Sequence, residues 1–128
     1  MKIESTNGNS SIKFLEISNK TKESPFFREV KIEIKVDNAF TFEKITFEQA
    51  DFVEINTRFN DVCNKRFKTY SYTDLDDQFF ISLNYISDSR MQINGYIRDV
   101  MYSYKLDYDF EVSFSEIMNF INSIKTLK

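Results

Sequence analysis

Three features of the sequence predict an α+β fold, a curved antiparallel sheet of about six strands with two helices (about 46–65 and 114–126) packed on one face. The first is two-residue alternation: Val30, Ile32, Ile34 and Val36 interleave with Lys31, Glu33, Lys35 and Asp37, giving one apolar and one wet face. The second is a pair of helix-start signals, Thr46-Phe47-Glu48-Gln49 and Ser113-Phe114-Ser115-Glu116, each followed by apolar residues at helical spacing. The third is composition, since 14 Phe and 7 Tyr against 2 Gly and 1 Pro suit strands joined by economical connections. The 128 residues have the length of a single domain, 1–128, and can bury a core without staples.

The chain opens as a hairpin, with Met1–Ser5 and Ser11–Ser18 flanking Asn7-Gly8, a dipeptide that tolerates positive φ. A polar connection from Asn19 to Pro25 follows, placing Pro25 where no ladder donor is needed. Phe26 to Asp37 is the clearest strand, expected to continue through Phe40 and Phe42 past a break or bulge near Asn38-Ala39. The first helix is expected to start at Thr46, with Gln49 completing the capping box and Ile45 and Ala50 in the staple positions. Phe52, Ile55, Phe59, Val62 and Cys63 form its apolar stripe, while Glu54–Arg58 and Asp61–Lys65 are spaced as ion pairs on its wet side.

Extended chain resumes with Thr69–Tyr72, a turn at Thr73–Asp77, and a strand in which Phe79, Ile81, Leu83 and Tyr85 alternate with Phe80, Ser82, Asn84 and Ile86. Asp88-Ser89 turns the chain into Met91, Ile93 and Ile97, where Gly95 marks a bulge or a close approach of another group. The last strand runs from Tyr102 to Val112. Ser113 then caps the closing helix, with Val112 and Ile117 as its staple and Ile117, Phe120, Ile121, Ile124 and Leu127 as its stripe. The two cap–helix units resemble each other locally, and no longer internal repeat is visible in the sequence.

A net charge of −3 and a pI near 5.0 disfavour nucleic-acid binding, which needs concentrated Lys and Arg. The densest basic spots, Lys20/Lys22 and Lys65/Arg66/Lys68, read as solvated charge. No apolar run approaches the ~20 residues of a membrane-spanning helix, and the first residues lack an apolar signal segment. One cysteine, Cys63, suits a reducing compartment, so the cytoplasm is the expected location.

The absence of histidine removes Ser-His-Asp and Cys-His machinery, and Gly8 and Gly95 alone cannot make a phosphate loop. No catalytic residue, cofactor or metal is expected, and the chain is read as a non-enzyme. Asp74, Asp76 and Asp77 could offer oxygens to a hard cation, but the spacing of a calcium loop is missing and a surface turn is the simpler reading. Most aromatics fall on apolar phases, whereas Tyr70, Tyr72 and Tyr96 sit in polar contexts. Tyrosines beside carboxylates suit a protein-binding hot spot, which makes Tyr70, Tyr72, Asp74, Asp76 and Asp77 the candidate partner-binding residues.

The order of features resembles the WapI-like family of small bacterial immunity proteins associated with contact-dependent polymorphic toxins. The resemblance lies in Val30-Lys31-Ile32-Glu33-Ile34-Lys35-Val36, Ile45-Thr46-Phe47 leading into a helix with Phe52 and Phe59, and Phe79-Phe80-Ile81-Ser82-Leu83. Ile93-Asn94-Gly95-Tyr96-Ile97, Leu106 to Ser113, and the closing helix with Ile117, Phe120, Ile121 and Leu127 complete it. It implies a protein that binds and blocks a cognate toxin, often a nuclease encoded next to it, and it transfers no site residues. A monomer is favoured under that reading. The alternatives are a secretion-chaperone-like binder, usually dimeric, and a small-ligand-binding domain with a concave aromatic pocket.

Overall fold

Alternation produces strands as expected, but the computed structural model, which describes residues 1–127, arranges them as two four-stranded antiparallel sheets. The first holds β1 (Lys2–Glu4), β2 (Ser10–Leu15), β3 (Phe27–Val36) and β4 (Ala39–Glu48), followed by helix α1 (Gln49–Cys63). The second holds β5 (Thr69–Thr73), β6 (Phe79–Tyr85), β7 (Arg90–Arg98) and β8 (Lys105–Ser113), followed by helix α2 (Phe114–Ile124). Each sheet is a meander, so the chain runs through the same ββββα plan twice.

Two local events separate this from a single six-stranded sheet. Asp37 takes a left-handed φ of 53°, and Asp37-Asn38 is a hairpin turn rather than a break within one strand. Val36 therefore pairs with Ala39, and β4 folds back along the whole of β3. Helix α1 then ends the first sheet before the second begins.

The first helix also starts later than its Thr46 signal. Thr46 remains in β4, opposite Glu29, because the apolar phase of that strand continues through Ile45 to Phe47, both fully buried. Glu48 becomes the N-cap, and its N–H donates to the Asp51 carboxylate at 2.9 Å. Phe47 and Phe52 take the staple positions, with rings stacked at 5.1 Å. The second cap is where the sequence puts it: the Glu116 N–H donates to Ser113 Oγ at 3.2 Å, and Val112 and Ile117 are buried beside it.

The stripes recur at one offset of 65 positions, with Phe52, Ile55, Phe59 and Val62 matched by Ile117, Phe120, Ile124 and Leu127. The packing is crossed: α1 lies on β5 and β6 of the second sheet, and α2 lies on β1 of the first. Neither half could cover its own apolar face in this way, so one core serves both. Aromatic rings tie it together. Phe14 of β2 meets Phe79 of β6 edge-on at 6.1 Å and Phe120 of α2 at 5.3 Å. Phe47 stacks on Tyr72 of β5 at 5.5 Å, and Phe59 contacts Phe120 at 5.9 Å.

Gly95 is explained by close approach. A Cβ there would lie 1.9 Å from the Phe80 carbonyl oxygen and 2.6 Å from the Tyr108 hydroxyl. The Tyr108 ring crosses β7 in the space the glycine leaves, and its hydroxyl donates to that same carbonyl at 2.6 Å. Cys63 is buried on the α1 stripe, with Sγ 3.9 Å from Met91 Sδ. The expected helix-surface pairs re-form differently: Asp61 lies between Arg58 at 3.4 Å and Arg66 at 3.5 Å, and Lys65 reaches Asp88 at 2.6 Å. No helix among the described residues is long and apolar enough to cross a membrane.

Candidate partner-binding surface

The five residues picked out by the sequence divide between the core and the surface. Tyr72 is an inward residue of β5; burial raises its hydroxyl pKa, and the group donates to Asp51 at 2.9 Å. Asp74 is buried as well. Its Oδ1 accepts from the backbone N–H groups of Gln78 and Phe79, both at 2.8 Å, and Oδ2 accepts from that of Asp76 at 3.3 Å. Burial raises its carboxyl pKa, and those three donors oppose the rise. Asp74 is thus a structural group that shapes the β5–β6 connection from beneath, and Tyr72 a core residue tied to Asp51 and Phe47; neither is a surface anchor. Tyr70 is half-buried with its ring edge-on to Phe59 at 6.0 Å, and burial pushes its hydroxyl up to about 12. Asp76 is exposed, and Asp77 lies at the surface in a left-handed conformation of φ 54°. The three aspartates do not converge: no group of three metal-ligating side chains that could hold an ion is found among the described residues.

What Asp74 supports is half of a two-loop platform. The β5–β6 connection, Asp74–Gln78, is bound to the β7–β8 connection, Asp99–Tyr104, by a set of directed bonds. Arg98 donates its backbone N–H to the Gln78 carbonyl at 2.8 Å, Nε to the Asp77 carbonyl at 2.6 Å, and Nη2 to the Asp77 carboxylate. The Tyr96 hydroxyl donates to the same carboxylate, and the Tyr102 hydroxyl donates to the Asp76 carbonyl at 2.6 Å. The Arg98 guanidinium lies over the rings of Tyr102 and Tyr96, at 4.2 and 5.2 Å. Asp99 closes the second loop by accepting from the Ser103 and Tyr104 N–H groups at 2.7 and 3.2 Å, and its bond from the Ser103 hydroxyl lowers its pKa.

Above this framework stand large apolar side chains left uncovered by the described residues. Leu75 is 82% exposed, Met101 79%, Val100 65% and Tyr102 55%. Tyr102 holds a φ of 56°, rare for a bulky residue, and the Arg98 guanidinium over its ring and its hydroxyl bond to Asp76 secure it there. Apolar anchors on loops whose backbone is already fixed lose little entropy when a partner covers them. Chemically the platform offers apolar area, the Asp76 carboxylate and the Tyr102 ring.

The sequence did not single out Leu75, Val100 or Met101. The final strand starts at Lys105, leaving Tyr102 and Tyr104 in the loop, so the apolar phase read from Tyr102 onward is broken there. A signal existed: Leu75 between two aspartates, and Val100-Met101 directly after Asp99, are apolar residues in turn-forming company. Several phenylalanines also lie outside the core expected for them, with Phe26, Phe40 and Phe42 exposed by 70%, 64% and 49%. One open depression of about 390 Å³, lined by Ser5, Asn7, Asp37, Asp109 and Glu111 among others, is mainly polar. Comparison with protein-family models, curated proteins and solved structures found no match.

Proposed function

We propose that this chain is an immunity protein that neutralises a cognate bacterial toxin by stoichiometric binding in the cytoplasm, without chemistry of its own. The observation that carries the reading is the prebuilt platform of Leu75, Val100, Met101 and Tyr102 beside Asp76, held from beneath by Asp74, Arg98 and Asp99. A net charge of −3 steers such a surface toward a basic groove of the kind a nuclease presents to its substrate. Apolar anchors then supply the short-range contact that slows dissociation.

Growth rescue tests it. The C-terminal domain of the protein encoded immediately upstream is expressed with and without this chain, and viability is followed. Toxicity relieved only by co-expression is the expected result. A harmless neighbour, or toxicity that persists while both proteins are soluble, would count against it. A chaperone-like binder is the second reading, favoured by exposed Phe40 and Phe42 on an outer strand. Amide exchange of a captured partner separates the two, since an inhibited toxin stays folded and protected whereas a chaperone client does not.

A further inference from the structure

The outer edge of β4 has a backbone phase that can be worked out residue by residue. Asp37 N–H donates to the Asn9 carbonyl at 3.0 Å and Ser18 N–H to that of Glu29 at 2.9 Å, so odd-numbered residues of β3 bond toward β2. Even-numbered residues of β3 therefore bond toward β4, as the Gln49 N–H donating to the Phe26 carbonyl at 2.7 Å confirms. In an antiparallel pair the bonding residues face each other. Ala39, Thr41, Glu43, Ile45 and Phe47 thus spend their N–H and C=O groups on β3, and Phe40, Phe42, Lys44 and Thr46 turn theirs outward. β4 is the last strand of its sheet, and among the described residues no loop or cap backbone bond reaches those four. All four are exposed, and no proline, bulge or short strand interrupts the stretch from Ala39 to Ile45, whose one outward charge is Lys44.

We propose that this edge binds a second copy of the chain, β4 against β4 in antiparallel register about a two-fold axis at Phe42, joining two four-stranded sheets into one of eight. Strand length and charge together select the register: β4 starts at Ala39, so an axis at Phe40 or Thr41 would pair fewer of its residues and leave Lys44 without a ring opposite it. An axis at Glu43 would set two carboxylates opposite each other, and one at Lys44 two ammonium groups, each destabilising on a shared face. With the axis at Phe42, Phe42 meets Phe42 of the second copy, Phe40 meets Lys44, and Thr41 meets Glu43. Each outward residue then exchanges both backbone bonds with its opposite. Lys44, otherwise a deterrent to edge pairing, gains an aromatic ring as its partner. Lys31 already uses the neighbouring ring in this manner, its Nζ 4.2 Å from the Phe42 centroid. The interface is isologous and closes on itself, so it ends at a dimer.

This inference does not depend on toxin neutralisation, and it departs from the monomer that reading favours. Sedimentation equilibrium of the purified full chain, from about 1 to 500 μM, tests it across the affinity range of modest interfaces. A monomer–dimer equilibrium is expected, weakened at least about tenfold by Phe42→Lys and by Phe42→Pro. Both variants should keep the native circular dichroism, because the side chain and the N–H at this position face solvent in the monomer. Oxidative cross-linking reports the register: Phe42→Cys should link two copies, since bonded pairs stand about 5.5 Å apart between Cα atoms, and Thr46→Cys should not. A chain that stays monomeric throughout, a dimer unmoved by both Phe42 variants, or cross-linking through Thr46→Cys instead would each overturn the proposal.

Discussion

The two halves of the molecule share a strand plan, a helix-capping scheme and a core, and they differ at one end of their sheets. In the first half that end is closed tightly, by the turn around Gly8, φ 76°, between β1 and β2, and by Asp37-Asn38 between β3 and β4. In the second half the matching connections are the Asp74–Gln78 and Asp99–Tyr104 loops, cross-bonded and carrying the exposed Leu75, Val100, Met101 and Tyr102. A second contrast lies inside. Ile32 pairs with Phe14 and Glu43 in the first half, and Gly95 pairs with Ile81 and Tyr108 in the second. One sheet fills the position with a branched side chain; the other empties it so that Tyr108 can cross. Where a scaffold is repeated, elaboration of connections at one end marks the surface that does something besides fold.

The two halves are expected to be inseparable, because they share one core. Phe47 of the first half stacks on Tyr72 of the second and touches Phe14, Phe52 and Phe79, so Phe47→Ala should cost about 3–5 kcal/mol. Amide exchange should show protection falling together in both sheets, and a loss confined to β1–β4 would mean that the halves fold independently. The inner-face contrast comes next. Gly95→Ala drives a methyl into a backbone carbonyl and should destabilise by about 3 kcal/mol in urea denaturation. Adding Tyr108→Phe should not rescue it, because the nearer clash is with the Phe80 backbone.

The two helix caps differ by a smaller amount. Asp51 accepts from both the Glu48 N–H and the Tyr72 hydroxyl, so Asp51→Ala should cost about 2 kcal/mol, while Ser113→Ala, losing one cap bond, should cost about 1. Thermal unfolding of the pair measures the difference. Cys63 gives the smallest effect. Burial pushes its thiol up to about 11, so at pH 8 it should react with a thiol reagent about 100-fold more slowly than an exposed cysteine. A folded-state pKa raised above the unfolded one contributes stability that is complete below the unfolded value and lost as pH rises toward 11.

Much of the fold was legible because its residues obey one period at a time. β3 shows its alternation without interruption, and both helix stripes sit where spacing puts them. The repeat was hidden because the halves share positions rather than residue types: Phe47 matches Val112 and Ile45 matches Phe110. The Asp37-Asn38 hairpin was hidden because neither residue is the glycine that usually signals a left-handed turn, and one missed turn merged two strands into one. Of the site, Asp76 and Asp77 were visible as charge at the surface. Tyr72 and Asp74 looked alike in sequence but face inward, since polar neighbours do not reveal on which phase of a short strand or turn a residue will fall.

The claim that the elaborated end of the second half is the binding surface is tested most directly by growth rescue with paired variants. Leu75→Asp with Met101→Asp alters the platform, and Asn9→Asp with Asn38→Asp alters the corresponding end of the first half; all four positions are exposed. The account predicts that the first pair loses protection against the toxin while staying folded and soluble, and that the second pair protects as the unaltered chain does. Protection retained by the first pair and lost by the second would contradict it.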